Sequence, residues 1–446
     1  MKERKEFAKY VSQNVLGTVG VSLYILADTY FIAQAVGPNG ITALNLVLPV
    51  YSIIFAFGQM IGIGSAIRYG IAKSQGSEEK DLLFGNAIFF VLLASALFML
   101  VGALSPEQLL RALGADEVIV AVGKNYTRIF MCFAPCFMLN HVCNAFVRND
   151  GNPTTAMMAT LFSSFFNIIF DYILMFPLKM GMEGAALATA ISPLLGVAIC
   201  ATHFFSKKNQ VRLQFREISF SRLKQCCQVG FSAFVGEFSS AVITMAFNFM
   251  LLSLAGNMAV AAYGVIANTA LVAVAVFNGV AQGSQPLISR SYGRGEKKIT
   301  KSLVKMAVVT AFALSILVYV TVYGFAEKIT AVFNSEGSVE LARYSVPGLR
   351  IYFLGFLFGS VNMVGAVALS AMEKVKEAFV ISTLRGFVLI LICVLLLPQF
   401  FRMNGVWMAF PVTEFLTLGV LGAMLMKSAA QKNAVQTGGE NRKKLR

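Results

Sequence analysis

The chain has 446 residues, of which 57% are hydrophobic and 13% charged, and its mean hydropathy is +0.71. Soluble domains carry roughly 25% charged residues, so this composition excludes an ordinary soluble fold. The formal net charge of +15 would suit a nucleic-acid partner if it were gathered on one face, but it is spread through the loops of a chain built for lipid.

Apolar runs of about 20 residues, the length that crosses a hydrocarbon core, fall at about 14–35, 44–67, 83–104, 128–147, 155–176, 185–204, 230–254, 260–288, 304–325, 350–371, 378–398 and 407–426. They predict an all-α polytopic membrane protein with twelve transmembrane helices. The first run contains Asp28 and no A-x-A-like site follows it, so it is expected to remain a span and not to be a cleaved signal peptide. With the N-terminus inside, the tails and inner loops hold 28 Lys and Arg, the outer loops and span mouths hold 8, and Arg385 is left within a span. The positive-inside rule accounts for this excess without any nucleic acid, and both termini are expected in the cytoplasm.

An internal echo organises the spans. Gly37–Gly76 and Gly256–Gly295 align without a gap at an offset of 219, with Gly37/Gly256, Ala43/Ala262, Ala56/Ala275, Gly64/Gly283, Ser65/Ser284 and Gly76/Gly295 coinciding. Further on, Pro177…Gly184-Ala185-Ala186 corresponds to Pro398…Gly405-Val406-Trp407. Repeats of six spans each are parallel repeats, related by an axis along the membrane normal. The chain is therefore divided into an N-terminal lobe at 1–205, a basic cytoplasmic linker at 206–224, a C-terminal lobe at 225–430 and a polar, disordered tail at 431–446. Spans two and eight are rich in small residues, which suits close helix packing first and flexing second. The seven cysteines are scattered among the spans and the start of span seven. They read as buried thiols and not as disulfides or metal ligands.

Ionisable groups inside a span are costly and are functional candidates by default. Asp28 lies ~21 Å above the inner end of span one, and Asp171 lies roughly 24 Å above that of span five. Asn167 is one turn below Asp171, and Thr189 is near the outer end of span six. Asp28, Asn167, Asp171 and Thr189 thus share one layer. Two carboxylates, an amide and a hydroxyl can cage a small hard cation such as Na+, can share a proton, or can simply hold helices together. Glu237 and Arg385 are both about 10 Å above the inner face. They are expected either to pair with each other or, for Glu237, to serve coupling or substrate. Glu414, about 10 Å below the outer face, is a candidate to bind a cationic substrate or to pair with a polar neighbour. His141, in span four, reads as a packed neutral histidine before a proton relay. The 20 Met and 39 Phe suit an adaptable, greasy cavity.

Leu26–Ile32, Arg148–Pro153, Asn167–Asp171, Gly184–Thr189, Gln285–Ser289 and Gly405–Trp407, in this order and spacing, resemble the multidrug and toxic compound extrusion (MATE) family, and in particular its bacterial drug-efflux branch. The resemblance covers about Val11 to Met426. It implies a V-shaped pair of six-helix bundles around a central cavity, with alternating access driven by inward H+ or Na+. It also implies a cation or proton site at Asp28, Asn167, Asp171 and Thr189. Glu237 falls where some relatives carry a functional acid. The chain departs from the family at Gln13, near the place of a span-one proline, and at Asn362, where some relatives have an acid in span ten.

The expected function is a cation-coupled antiporter in the bacterial cytoplasmic membrane that exports organic, lipophilic cations. It is expected to act as a monomer, with the bilayer and small molecules as its partners and no resident cofactor. The alternative is a flippase for lipids or lipid-linked oligosaccharides. That function calls for basic residues lining the cavity, and Arg385 stands nearly alone. An enzyme that transfers prenyl groups would need paired Asp-rich motifs for Mg2+ and pyrophosphate, and Asn149-Asp150 offers a single carboxylate, so no enzyme is expected.

Overall fold

The structure, a computed structural model, describes residues 2–334 and 337–444. Within these, the side chains of 2, 38 and 428–444 lie outside the description, and the expected disordered tail at 431–446 falls there. The described residues form helices joined by short turns: α1 (Lys2–Ala35), α2 (Pro38–Gln75), α3 (Lys80–Leu104), α4 (Pro106–Ala112), α5 (Glu117–Cys132), α6 (Ala134–Asn149), α7 (Pro153–Met175), α8 (Gly181–Phe204), α9 (Phe220–Gly293), α10 (Lys297–Phe333), α11 (Val339–Tyr352), α12 (Gly355–Ala371), α13 (Val375–Thr383), a π-helical turn (Leu384–Val388) and α14 (Leu389–Lys444).

Among the described residues, eight continuous helical runs are long and apolar enough to cross a membrane. The bent pairs α5–α6 (44°) and α11–α12 (47°) add two more. Two of the eight are double. The chain reverses inside α9 at Gly256 (φ 71°) and inside α14 at Arg402 (φ 49°). The result is twelve spans, as the sequence predicts.

Spans four and ten are longer than the hydropathy suggested, because each begins with an arm whose charges (Lys124 and Arg128; Arg343 and Arg350) lower its apolar score. Each then bends at the matching place in its half, after Cys132 and after Tyr352. The short helix α4, not foreseen, starts at Pro106 beyond span three. The echo is also visible in the backbone. Gly37 and Gly256 both take left-handed φ (80° and 71°), and so do Gly76 and Gly295 (71° and 72°). These are conformations that only glycine adopts without strain.

Each half builds its own core. The N-terminal core joins α2, α3, α5, α6 and α8 around Tyr69, Phe130 and Phe146. The C-terminal core gathers Phe247, Tyr263, Tyr352, Phe356, Trp407 and Phe410. The halves meet at the basic ends of their spans. Tyr10 and Val11 of α1 pack with Val280 and Ile288 of α9, and Thr18 donates to the Ala275 carbonyl at 2.7 Å. Spans two and seven cross so closely that a Cβ on Gly64 would sit 2.0 Å from the Cys226 carbonyl oxygen, and one on Gly230 would sit 2.0 Å from that of Met60. Glycine here serves contact between backbones, the packing role that small residues have inside membranes. Beyond this junction the two six-helix bundles diverge as a V.

Candidate functional site

The acid layer assembles inside the N-terminal lobe. Asp28 of α1, Asn167 and Asp171 of α7, and Thr189 of α8 are all buried, with Asp171 fully so. The Asn167 amide donates to the Thr189 hydroxyl at 3.3 Å, and the carboxyl groups of Asp28 and Asp171 adjoin one another. Four oxygens, Asp28 Oδ1, Asn167 Oδ1 and both of Asp171, have no hydrogen-bond partner in the protein. Buried polar atoms are ordinarily satisfied, and a cluster of orphaned acceptors with no donor is a set of oxygen ligands or proton acceptors. The residues therefore fit a transported cation. Among the described residues no group of three or more His, Cys, Asp or Glu is placed to hold a metal ion, so a cation here would depend on the amide and hydroxyl oxygens as well as the two acids.

Around this layer lie three tyrosines that the sequence did not single out. The hydroxyls of Tyr24 and Tyr51 adjoin one another, and Tyr24 and Tyr126 lie within electrostatic range of Asp28 and Asp171. A helical period would have found Tyr24, one turn before Asp28 on the same face. Tyr51 and Tyr126 come from other helices, and one sequence gives no register between helices.

Glu237 lies at the junction of the lobes. It accepts from the Gln59 amide of span two at 2.7 Å, one turn from the edge-to-face contact of Phe57 with Phe234 at 5.4 Å. It does not pair with Arg385. Arg385 instead donates to Glu414 Oε1 at 2.6 and 3.1 Å, and Asn362 donates to Glu414 Oε2 at 2.7 Å. The expectation of a Glu237–Arg385 pair is thereby corrected. Depth on straight helices brought them together, whereas a π-helical turn surrounds Arg385 and its long side chain climbs toward Glu414. Both Glu414 oxygens are engaged. His141 packs edge-on against Phe55 at 4.9 Å.

At the basic end, the loop after α6 carries a network that the sequence undervalued. Asp150 accepts from Tyr69 (2.6 Å), Lys73 (2.5 Å) and the Gln210 amide (3.0 Å), and meets His203 at 2.8 Å. Its neighbours reach across the lobes. Arg148 donates to Asn14 and Gln282, and Asn149 exchanges hydrogen bonds with Gln285. Burial pushes the Asp150 carboxyl up, but the bonds from His203, Lys73, Tyr69 and Gln210 outweigh it and hold the group below the usual carboxylate range.

Two lobes of six spans, an acid layer in one of them and a closed junction at one end define a membrane transporter rather than an enzyme. The sequence profile of the MatE family matches residues 15–173 and 233–395, one segment in each half, and the chain belongs to that family. It is similar to the multidrug export protein MepA of Staphylococcus saprophyticus, with 24% identity over 88% of this chain and 85% of that one. Its fold matches the outward-facing conformation of a multidrug resistance MATE family transporter of the MOP superfamily (TM-score 0.90, 20% identity, 96% of this chain and 97% of that one). It also matches a mutant form of the Vibrio cholerae MATE transporter VcmN (TM-score 0.88, 23% identity, 96% and 98%).

Proposed function

We propose that this protein is a cation-coupled exporter of lipophilic organic cations, working as a monomer by alternating access. Its termini and linker would lie on the cytoplasmic side of a bacterial plasma membrane. The observation that carries the reading is the acid layer: two buried carboxyl groups face each other with no donor. Such groups are too costly in lipid to keep without a task, and they can hold a proton between them or a small cation. An ion drives the cycle if it binds one lobe conformation better than the other. The junction at the basic ends, with the lobes diverging beyond it, suits an outward-open state in which the layer awaits its ion. The name of the MepA relatives, multidrug export protein, supports drug-like cargo.

Of the two acids expected to meet a cationic substrate, Glu237 suits the role better. It has a single amide partner at the lobe junction, whereas the charge of Glu414 is already balanced by Arg385.

The test is transport in proteoliposomes with H+ and Na+ gradients imposed separately. Asp28→Asn and Asp171→Asn should each abolish gradient-driven export while the protein still elutes as a folded particle. Full active export by both variants would refute the coupling role and leave the cluster as a contact between helices.

A further inference from the structure

At the basic end of the C-terminal lobe, the first turns of α9 and the short helix α13 part to leave a groove of about 720 Å³, within the range of roughly 300–1,000 Å³ that holds drug-sized ligands. Its lining is apolar and aromatic, with Phe231 and Phe379 stacked at a centroid distance of 5.0 Å and Phe220 at the start of α9 strongly exposed. Lys224 and Lys376 line the same groove. Both are exposed, and among the described residues neither joins an ion pair. Glu377, next in sequence, is not part of the lining.

The position decides the occupant. The groove begins where spans seven and eleven leave the basic loops, so its aromatic depth is at the level of acyl chains and its two ammonium groups are near the headgroups. Basic pockets between spans on this side of a membrane select anionic headgroups. A cationic amphiphile, the cargo proposed above, would meet two uncompensated positive charges. We propose that this groove is a binding site for one anionic phospholipid. Its acyl chain would lie along Phe220, Phe231 and Phe379, its phosphate would sit on Lys224 and Lys376, and Gln228 would donate to an ester or phosphate oxygen. A lipid seated there bridges the start of span seven, which carries Glu237, and the start of span eleven, which carries Arg385.

The experiment is native mass spectrometry of the full chain released from detergent with added phosphatidylglycerol or phosphatidylcholine. The variants are Lys224→Gln/Lys376→Gln and, as a control on the same membrane face, Lys297→Gln/Lys301→Gln. All four lysines are exposed, so neither variant disturbs a packed side chain. Phosphatidylglycerol should be retained in preference to phosphatidylcholine. Its affinity should fall roughly 30-fold in the groove variant, about fivefold per interfacial lysine, with the control unchanged and millimolar inorganic phosphate unable to displace it. Equal retention of the two lipids would overturn the proposal, as would equal losses in both variants or displacement by free phosphate. Protection of Cys227 from alkylation by tetraphenylphosphonium in place of phosphatidylglycerol would also overturn it, and would make the groove an entry route for cargo.

Discussion

Removal of Arg385 isolates a buried carboxylate. Glu414 is 2% exposed and its partners are Arg385 and the Asn362 amide. Breaking a buried pair costs about 3–5 kcal/mol. The lower end applies here, because a fifth of the Arg385 side chain (20%) is exposed. At about 2–4 °C per kcal/mol for a unit of some 200 residues, Arg385→Met should unfold roughly 10 °C below the parent. Arg385→Met/Glu414→Leu removes both charges and leaves Asn362 short of one acceptor, a cost of about 1–3 kcal/mol, so it should recover about half of the loss. Trp407, the single tryptophan, is buried in the C-terminal core on the same span as Glu414, so its fluorescence during a thermal ramp in detergent reports this lobe directly. A double variant no more stable than Arg385→Met would show that the two charges do not act as a unit. Dye export near the parent level in the double variant is the companion expectation, and its abolition would return Glu414 to the substrate path.

Asp150→Asn should lower the thermal midpoint at pH 7, since Lys73 and His203 lose their anion. The folded carboxyl titrates below its unfolded value, so the stability it contributes is complete above the ordinary carboxylate pKa of about 3.9 and is lost as pH falls below it. The gap between parent and variant should therefore close in acid, and parallel pH curves would contradict this. Glu237→Gln should raise KM for cationic dyes roughly five- to tenfold, the worth of one partly screened charge pair, and leave neutral cargo unchanged; equal effects on both would remove Glu237 from charge recognition. Single cysteines at Lys207–Gln214, in a chain stripped of its native thiols, should label only from the cytoplasm, and labelling from outside intact cells would invert the topology.

The spans were legible because lipid demands long apolar runs. Their internal breaks were legible only in part. Gly37, Gly76 and Gly256 announce left-handed turns, but Arg402 and Glu373 adopt positive φ with no glycine to signal it. The acid layer could be found by depth because Asp28 and Asp171 each stand on a helix that runs unbroken through its span. The same arithmetic failed for Arg385, since a π-helical turn and a long, flexible side chain shift its charge away from its Cα level. The partnership of Glu237 with Gln59, and the convergence of Tyr51 and Tyr126 on the acids, depend on how helices rotate about their axes, which hydropathy does not encode.

The two lobes share a backbone plan and divide the chemistry. At the offset of the echo, Asp28 corresponds to Phe247, and from the Gly184/Gly405 correspondence Thr189 matches Phe410. Those phenylalanines belong to one aromatic stack, Phe247 on Tyr263 at 4.9 Å and Tyr352 on Phe410 at 4.5 Å. Where the N-terminal lobe keeps orphaned carboxyl oxygens, the C-terminal lobe has rings at the corresponding positions and pairs one of its two span acids, Glu414, with Arg385. An ion can shift an equilibrium only by its differential affinity for two states. The orphaned oxygens of the N-terminal layer include those of two carboxyl groups, Asp28 and Asp171, whereas those of the C-terminal lobe, on Thr330, Ser360, Asn362 and Thr413, are all neutral hydroxyls and an amide. If the layer binds the driving ion, as proposed, the response would begin on spans one and five, and the packing of Tyr10, Val11 and Thr18 against span eight would carry it to the other lobe.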